Sequence, residues 1–257
     1  MNKSRRPLIA GNWKMNCTTN EAKDLATSLK ELLSGVSNVD LVICPPFTAL
    51  AAVSPIIKGS NIKLGSQDIH WEPKGAYTGE TSPTMLLDFS CEYAIIGHSE
   101  RRHIMGETND MVNKKVKSAL AHNITPILCV GELLEERSMG ATKDVVKRQL
   151  EKGIAGLSAD EIKKMVIAYE PVWAIGTGKN ATPKQANDVQ FFIRNLLIKA
   201  AGEDIASKVR ILYGGSVKPE NAKDLLAQPE IDGALVGGAS LDAKVFTAIV
   251  NTATVVV

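Results

Sequence analysis

The sequence is poor in cysteine and aromatic residues, has almost no net charge and contains no long apolar run. Its cysteines, Cys17, Cys44, Cys91 and Cys129, lie far apart without a CxxC pair, which argues against a zinc site or disulfide framework and favours reduced thiols. With a net charge of +2 and five per cent aromatics, nothing favours a nucleic-acid or membrane surface. No apolar stretch approaches the roughly 18 residues of a membrane span, and the run after the basic amino terminus is too short for a signal peptide. We therefore expect a soluble, cytoplasmic protein.

What the sequence does contain is an alternation of short apolar runs with helical patterns. Eight runs have the length and composition of strands buried on both faces, at residues 8–13, 41–44, 62–65, 93–96, 126–130, 166–169, 209–213 and 234–236. Capping boxes mark helix starts between them, as at Thr18 with Glu21 and Ser158 with Glu161. The pattern predicts parallel strands covered by helices.

Eight such repeats in 257 residues favour a closed parallel (β/α)8 barrel. No linker, low-complexity segment or break in composition divides the chain, so we expect residues 1–257 to form a single domain. An open, doubly wound sheet is the alternative that strand counting leaves.

One stretch of the chain, residues 166–183, combines a strand, an acid, a long loop and a helix start. The sixth strand ends on Glu170, and Pro171 follows it. Thr182 and Gln185 form a capping box around Pro183, which leaves a loop of about eleven residues, longer than the usual two to six. The loop favours a lid that closes over a catalytic acid, and a plain surface loop beside a structural Glu is the alternative.

Polar or glycine residues follow several of the other strands as well. In a parallel barrel these positions converge on one face. They are Asn12 and Lys14 at the end of the first strand, His98 after the fourth, Gly214, Gly215 and Ser216 after the seventh, and Gly237 and Gly238 after the eighth. Each has a plain structural interpretation: a solvated lysine, a hydrogen-bonded histidine, tight turns before helices. Their shared location favours a functional site.

Together these residues suit a small phosphorylated substrate. Glycine-rich turns that lead into helices present backbone N–H groups to a phosphate. Glu170 is then a candidate base for a carbon-bound proton, while His98 and Lys14 stabilise the oxygen on which negative charge develops. No HExxH or clustered-carboxylate motif asks for a metal, and no GxSxG motif or second carboxylate suggests a hydrolase.

Two further alternatives belong to other classes of protein. Residues 176–181 match the dinucleotide pattern GxGxxA, which would indicate a nucleotide-binding redox protein. The match does not start at the end of the strand, its helix begins only near Thr182, and no acid follows at the expected distance. A non-catalytic interaction barrel is the other alternative, and it leaves the polar residues unexplained.

Five segments of the sequence closely resemble the triosephosphate isomerase family, and the resemblance runs through essentially the whole chain in order. The segments are AGNWKMN at 10–16, GHSERR at 97–102, AYEPVWAIGTGK at 168–179, YGGS at 213–216 and GALVGG at 233–238. The resemblance implies a TIM barrel that interconverts dihydroxyacetone phosphate and D-glyceraldehyde 3-phosphate through an enediolate, in glycolysis and gluconeogenesis, with no cofactor and no metal.

The resemblance also implies a role for each catalytic residue. Glu170 would be the general base, and His98 the electrophile, acting as a neutral imidazole because the amino end of the following helix disfavours its charge. Lys14 would offset the phosphate and enediolate charge, and Asn12 would donate a hydrogen bond to the substrate. Glu100 would hold Lys14 or relay protons.

The phosphate and the partner subunit complete these expectations. The family pattern assigns phosphate binding to Gly176, Ser216, Gly237 and Gly238 and a closing lid to residues 171–178, whose closure excludes water. The family is a homodimer in which the long third loop, here residues 70–81, reaches the partner's active site. Thr78 on this loop would help to position Asn12 and Lys14 of the partner. A second lid in a monomer is the alternative use of this loop.

Overall fold

The computed structural model describes residues 5–174 and 181–256. Its eight strands form a closed barrel in which each strand pairs in parallel with the next along the chain and β8 pairs with β1. The strands are β1 (Leu8–Asn12), β2 (Asp40–Cys44), β3 (Ile62–Ser66), β4 (Cys91–Ile96), β5 (Thr125–Val130), β6 (Val166–Tyr169), β7 (Arg210–Tyr213) and β8 (Gly233–Val236). The predicted (β/α)8 barrel is confirmed, and every strand bound agrees with the prediction to within two residues.

Helices connect the strands and cover the outside of the barrel. They are α1 (Thr19–Leu32), α2 (Leu50–Ile57), α3 (Pro83–Asp88), α4 (Ser99–His103), α5 (Asn109–Ala121), α6 (Leu134–Ser138), α7 (Thr142–Gly153), α8 (Ala159–Lys163), α9 (Pro183–Ala201), α10 (Glu203–Ala206), α11 (Pro219–Leu226) and α12 (Ala243–Val256). The expected capping boxes are present at α1, α8 and α9. No helix in these described ranges is long and apolar enough to cross a lipid bilayer.

Alternate residues of each strand belong to two different apolar clusters. In β1, Leu8 and Ala10 pack inside the barrel with residues such as Val42 and Leu212, whereas Ile9 packs outward against the helices. Because successive side chains of a strand point to opposite faces, burial on both faces produces the continuous apolar runs of the sequence. The two clusters hold the strands rigidly, so the residues at their carboxyl ends start from fixed positions.

Some helical features were not predicted from the sequence. The short helix α10 directly follows α9, and the segment after β5 forms two helices, α6 and α7. The last helix continues to Val256. Its final turns contain Thr252 and Thr254, which are weak helix formers, but Ala253 is buried against the barrel. Packing therefore extends this helix beyond the point that propensity indicates.

Candidate active site

Glu170 follows β6 directly and is almost completely buried, with an exposed fraction of 2%. Its backbone N–H donates to the carbonyl of Val130 at the end of β5, over 2.8 Å. The side chain packs so tightly on Gly214 that a Cβ there would lie 2.8 Å from the Glu170 Cγ. A larger residue in this turn would displace the carboxylate. The glycine turn after β7 therefore serves the position of the acid as well as its own backbone.

The carboxylate of Glu170 meets the residues that follow β4. Its Oε2 accepts a hydrogen bond from the backbone N–H of Ser99 at 2.9 Å, and its Oε1 lies 3.0 Å from His98 Nε2. On the other side of the imidazole ring, Nδ1 accepts a hydrogen bond from the backbone N–H of Glu100 at 3.3 Å. Because Nδ1 is an acceptor, the neutral ring carries its proton on Nε2, the atom that faces Glu170.

Burial and neighbouring charges shift the pKa values of Glu170 and His98 in opposite directions. Burial raises the pKa of Glu170, but His98, the Ser99 N–H and Lys14 lower it further, so the pKa of this carboxyl lies below its ordinary value. Burial lowers the pKa of His98, but Glu170 and Glu100 raise it further, so the pKa of the imidazole lies above its ordinary value. Contact with Glu170 thus opposes the preference for a neutral ring at the start of α4.

Lys14 is held in an unusual backbone conformation, with φ +53°. Few residues other than glycine adopt this region without support. Its N–H donates to Asn12 Oδ1 at 3.0 Å, and its carbonyl accepts a hydrogen bond from Gln67 Nε2 at 2.7 Å. Its Nζ lies 2.5 Å from Glu100 Oε1. The lysine is therefore fixed at its backbone and at its ammonium group.

These residues line a single cavity of about 300 Å³ at the carboxyl ends of the strands. Asn12, Lys14, His98 and Glu170 form one side, and the turns after β7 and β8 form the other with Gly214, Gly215, Ser216, Gly237 and Gly238. The structure thus brings together all but three of the residues assigned to the site from the sequence. Glu100 reaches it through Lys14, Gly176 lies outside the described residues, and Thr78 is elsewhere on the subunit.

The start of the expected lid is anchored beside the site. Residues Val172–Ala174 form one turn of 3-10 helix, and Trp173 Nε1 donates to Glu132 Oε1 at 3.0 Å. Glu132 is fully buried and also accepts from the hydroxyl of Tyr169, and Arg137 stacks on the Trp173 ring at 4.5 Å. Residues 175–178 of the lid lie outside the described residues.

Thr78 is exposed on the loop between β3 and α3 and does not belong to the lining of its own cavity. A second cavity of about 380 Å³ adjoins the first and shares Asn12, Lys14 and His98 with it. Beside it, Met15 is 95% exposed and Met105 is 66% exposed. An apolar rim next to a polar site is typical of a surface that another molecule covers.

Sequence reasoning did not assign a role to Gln67 or Glu132. Gln67 comes directly after β3, and asking which residue follows each strand would have found it. Glu132 is separated from β5 by Gly131, so the same question identifies it less directly. Among the residues that the structure describes, no group of three or more histidine, cysteine or acidic side chains is arranged to hold a metal ion.

Comparisons with known proteins agree with this geometry. The family model described as triosephosphate isomerase matches residues 7–253. Among curated relatives, the triosephosphate isomerase of Carboxydothermus hydrogenoformans is 57% identical over 247 residues, which are 96% of this chain and 98% of the relative. The triosephosphate isomerase of Moorella thermoacetica is 58% identical with the same coverage. That of Dictyoglomus turgidum is 52% identical, over 96% of this chain and all of the relative. The chain belongs to the triosephosphate isomerase family.

Proposed function

We propose that this protein catalyses the reversible interconversion of dihydroxyacetone phosphate and D-glyceraldehyde 3-phosphate. The observation that carries the proposal is the placement of Glu170, His98 and Lys14 in one cavity with the glycine turns after β7 and β8. A carboxylate, an imidazole and an ammonium group suit proton abstraction beside a carbonyl, and the turns suit a phosphate.

In this reaction Glu170 removes a proton from the carbon that bears the hydroxyl group, next to the carbonyl. The electron pair moves to the carbonyl oxygen and forms an enediolate. The proton of the substrate hydroxyl then passes to the former carbonyl oxygen, and Glu170 returns its proton to the former carbonyl carbon, so that the oxygen that lost its proton becomes the new carbonyl. The substrate separates the present contact between Glu170 and His98, so that His98 Nε2–H donates to the developing oxyanion. The Nδ1 bond from the Glu100 N–H supports this role, because it leaves the proton of a neutral ring on Nε2.

Lys14 stabilises the negative charge of the enediolate and of the phosphate. Its contact with Glu100 supports a role for that acid in holding the ammonium group. Asn12 accepts the Lys14 N–H with its oxygen, so its side-chain NH2 is the group that donates to the substrate. Both residues lie at the carboxyl end of β1, and their effect on the charged intermediate is greatest where water is excluded.

Ser216, Gly237 and Gly238 hold the phosphate with backbone and hydroxyl donors, and Gly176 adds a further donor from the lid. Residues 171–178 close over the bound substrate and exclude water, which protects the intermediate from losing its phosphate. The anchoring of Trp173 by Glu132 supports a lid with a fixed start. No cofactor takes part in these steps.

We propose that the active form is a homodimer in the cytoplasm, where the reaction belongs to glycolysis and gluconeogenesis. The loop that carries Thr78 enters the second cavity of the partner subunit, beside Asn12 and Lys14. The exposed Met15 and Met105 next to that cavity support an interface there. Thr78 therefore contributes to the partner's site and not to its own.

The test is the initial rate of interconversion of the two triose phosphates by the purified protein, in EDTA and without added nucleotide or metal. Rapid turnover in both directions is the expected result. A folded protein that gives no turnover would overturn the proposal. Dilution tests the dimer: activity that falls as the protein dissociates is expected, and activity of a persistent monomer at full rate contradicts a role for Thr78.

A further inference from the structure

Arg102 differs from every other arginine in the described part of the chain. Seven of the eight arginines there have a carboxylate oxygen within 4 Å, namely Arg5, Arg6, Arg101, Arg137, Arg148, Arg194 and Arg210. Arg102 has no such partner among the described residues, although its side chain is partly buried and burial lowers the pKa of its guanidinium. A partly buried cation without a counterion lowers stability, so its location calls for another explanation.

The guanidinium donates hydrogen bonds to three neutral acceptors, which lie in different parts of the fold. Nε donates to the carbonyl of Gly97 at 2.7 Å, and Nη2 donates to the carbonyl of Cys129 at 3.1 Å. Nη1 donates to Asn109 Oδ1 at the start of α5, over 2.8 Å. Arg102 thus joins the carboxyl end of β4 to that of β5.

Both ends lead directly to the proposed catalytic pair. Gly97 precedes His98, and Cys129 precedes Val130, whose carbonyl accepts the backbone N–H of Glu170. The fit is close: Gly97 has φ +69°, and a Cβ there would lie 2.7 Å from Arg102 Nη2. Glycine is therefore required at this turn both for the backbone and for the guanidinium. A lysine has one ammonium group on a flexible stem, and it does not reproduce this planar three-way bridge.

The charge of Arg102 also acts on one member of this pair, Glu170. Electrostatic interactions with Cys129, Glu170 and Glu107 favour the charged guanidinium. Glu107 is already paired with Arg101 and Lys115. Among the described residues, the Glu170 carboxylate has an imidazole and a backbone N–H as its polar contacts, so it gains more from an additional positive charge.

The ionisable groups that surround Glu170 come from several elements. They are Lys14 after β1, His98 after β4, Arg102 on α4 and Cys129 in β5. Lys14 and His98 lie on the side of the cavity and face the substrate in the proposed reaction. Arg102 is absent from the lining of that cavity, so it is a fixed charge that the substrate does not contact.

We propose that Arg102 is a positioning residue for the general base: it holds the ends of β4 and β5 together behind His98 and Glu170, and its unpaired charge favours the carboxylate form of Glu170. Only the role of Glu170 as a base rests on the proposed function. The bridge and the charge belong to the free protein and are measurable without substrate.

Asn109→Asp is the decisive variant, because it keeps the shape and the acceptor for Arg102 Nη1 while adding the missing counterion. An acid at the first position of α5 is also favourable for the helix. Arg102→Gln removes the charge and part of the bridge, and Arg102→Lys keeps the charge without the planar guanidinium group. Arg148→Gln is the control, since Arg148 is 59% exposed and lies 3.9 Å from Glu136 on the surface.

Two readouts separate positioning from folding. The titration of Glu170 is followed by the carboxyl 13C signal of glutamate-labelled protein, assigned with Glu170→Gln, and kcat is measured with both triose phosphates. We expect Asn109→Asp and Arg102→Gln to move the titration of Glu170 to higher pH and to lower kcat on the order of 10- to 100-fold, the cost of a misplaced catalytic group. Arg102→Lys lowers kcat without moving the titration, and Arg148→Gln changes neither.

An unchanged Glu170 titration in Asn109→Asp overturns the proposal, because this variant neutralises Arg102 without removing a hydrogen bond. If Arg102→Gln does not fold, Asn109→Asp alone decides. A wild-type protein without isomerase activity overturns the proposed function but still shows, by the titration, whether Arg102 acts on Glu170. The two failures are therefore distinguishable.

Discussion

Each end of the barrel contains a buried carboxylate for comparison, Glu170 at one end and Asp232 at the other, and the two have different surroundings. At the carboxyl ends, Glu170 contacts the His98 imidazole and one backbone N–H, and it lines a cavity. At the amino ends, just before β8, Asp232 is 1% exposed and lies between two guanidinium groups. Arg5 Nε is 2.7 Å from its Oδ1, and Arg194 Nη2 is 2.8 Å from its Oδ2, which also accepts the N–H of Ile211 at 2.9 Å.

The two carboxylates differ in whether their partners can gain and lose a proton. The arginines at Asp232 keep their charge at all relevant pH values and fill both oxygens, so this carboxylate joins the segment before β1, the helix α9 and the turn before β8. The imidazole at Glu170 gains and loses a proton near neutral pH, and the cavity leaves room for a substrate. We therefore expect Asp232 to contribute to stability, whereas Glu170 is placed where the proposed chemistry needs an acid.

The largest expected effect is on Glu170. Glu170→Gln keeps acceptor and shape but removes the base, so kcat should fall by about 10²- to 10⁴-fold, while phosphate-ligand binding and, at about pH 8, the thermal unfolding temperature stay close to wild type. Steady-state kinetics, phosphate titration and a melting curve measure the three quantities. Near-normal turnover would refute Glu170 as the base and, with it, the contrast between the two acids.

Asp232→Asn should give the opposite result. Removing one partner of a buried ion pair costs about 3–5 kcal/mol, which for a chain of this size lowers the unfolding temperature by about 10 °C. The kcat per folded molecule should stay unchanged, because the site lies at the other end of the strands. Asp204→Asn is the matched control, since Asp204 is 78% exposed and pairs with Lys208 on the surface, and it should melt at the same temperature as wild type. Equal melting of the two variants would contradict the assignment of Asp232.

The fold could be predicted almost completely because both of its signals are local. Strands buried on both faces produce continuous apolar runs, and capping boxes such as Thr182 with Gln185 mark helix starts. The helix limits were harder to predict. The helix α11 begins at Pro219 after a lysine cap, without the Ser or Thr that marks other starts, and the end of α12 depends on burial of Ala253 against the barrel, which is not a local signal.

The candidate site also has a part that could be predicted from the sequence and a part that could not. Glu170, His98 and Lys14 could be found because each follows a strand, and strand ends converge in a parallel barrel. The contacts that hold these three residues in place could not be predicted from the sequence. The positive φ of Lys14, its support by Gln67 and the missing counterion of Arg102 depend on distances between segments that are far apart in the chain. Sequence patterns report which elements form, but not which side chains meet.

Gln67 gives a smaller and more specific test of the catalytic end. Its Nε2 donates to the carbonyls of Lys14 and Cys44, at 2.7 and 2.9 Å. Gln67→Leu leaves both carbonyls without this donor and releases the backbone of Lys14, so kcat should fall about tenfold, the equivalent of one lost hydrogen bond. Gln228→Leu is the control, because Gln228 Nε2 donates to the carbonyl of Asp224 on the surface. If the two variants have equal kcat, Gln67 does not position the lysine.

The smallest effect concerns pH and distinguishes an imidazole partner from a guanidinium partner. The pKa of His98 is raised above 6.5, so the stability it gains is complete below that value and is lost as pH rises through its folded pKa. The pKa of Glu170 is lowered below 4.5, so its gain is present above that value and is lost as pH falls through its folded pKa.

The pair should therefore stabilise the protein most between about pH 4.5 and 6.5. The free energy of unfolding in urea, wild type minus Glu170→Gln, should be larger at about pH 5.5 than at about pH 8, whereas the difference between wild type and the surface variant Asp204→Asn should be the same at both. Equal differences for Glu170→Gln at the two pH values would mean that the imidazole does not respond to its carboxylate. The catalytic end would then be as insensitive to pH in this range as a carboxylate held by arginines.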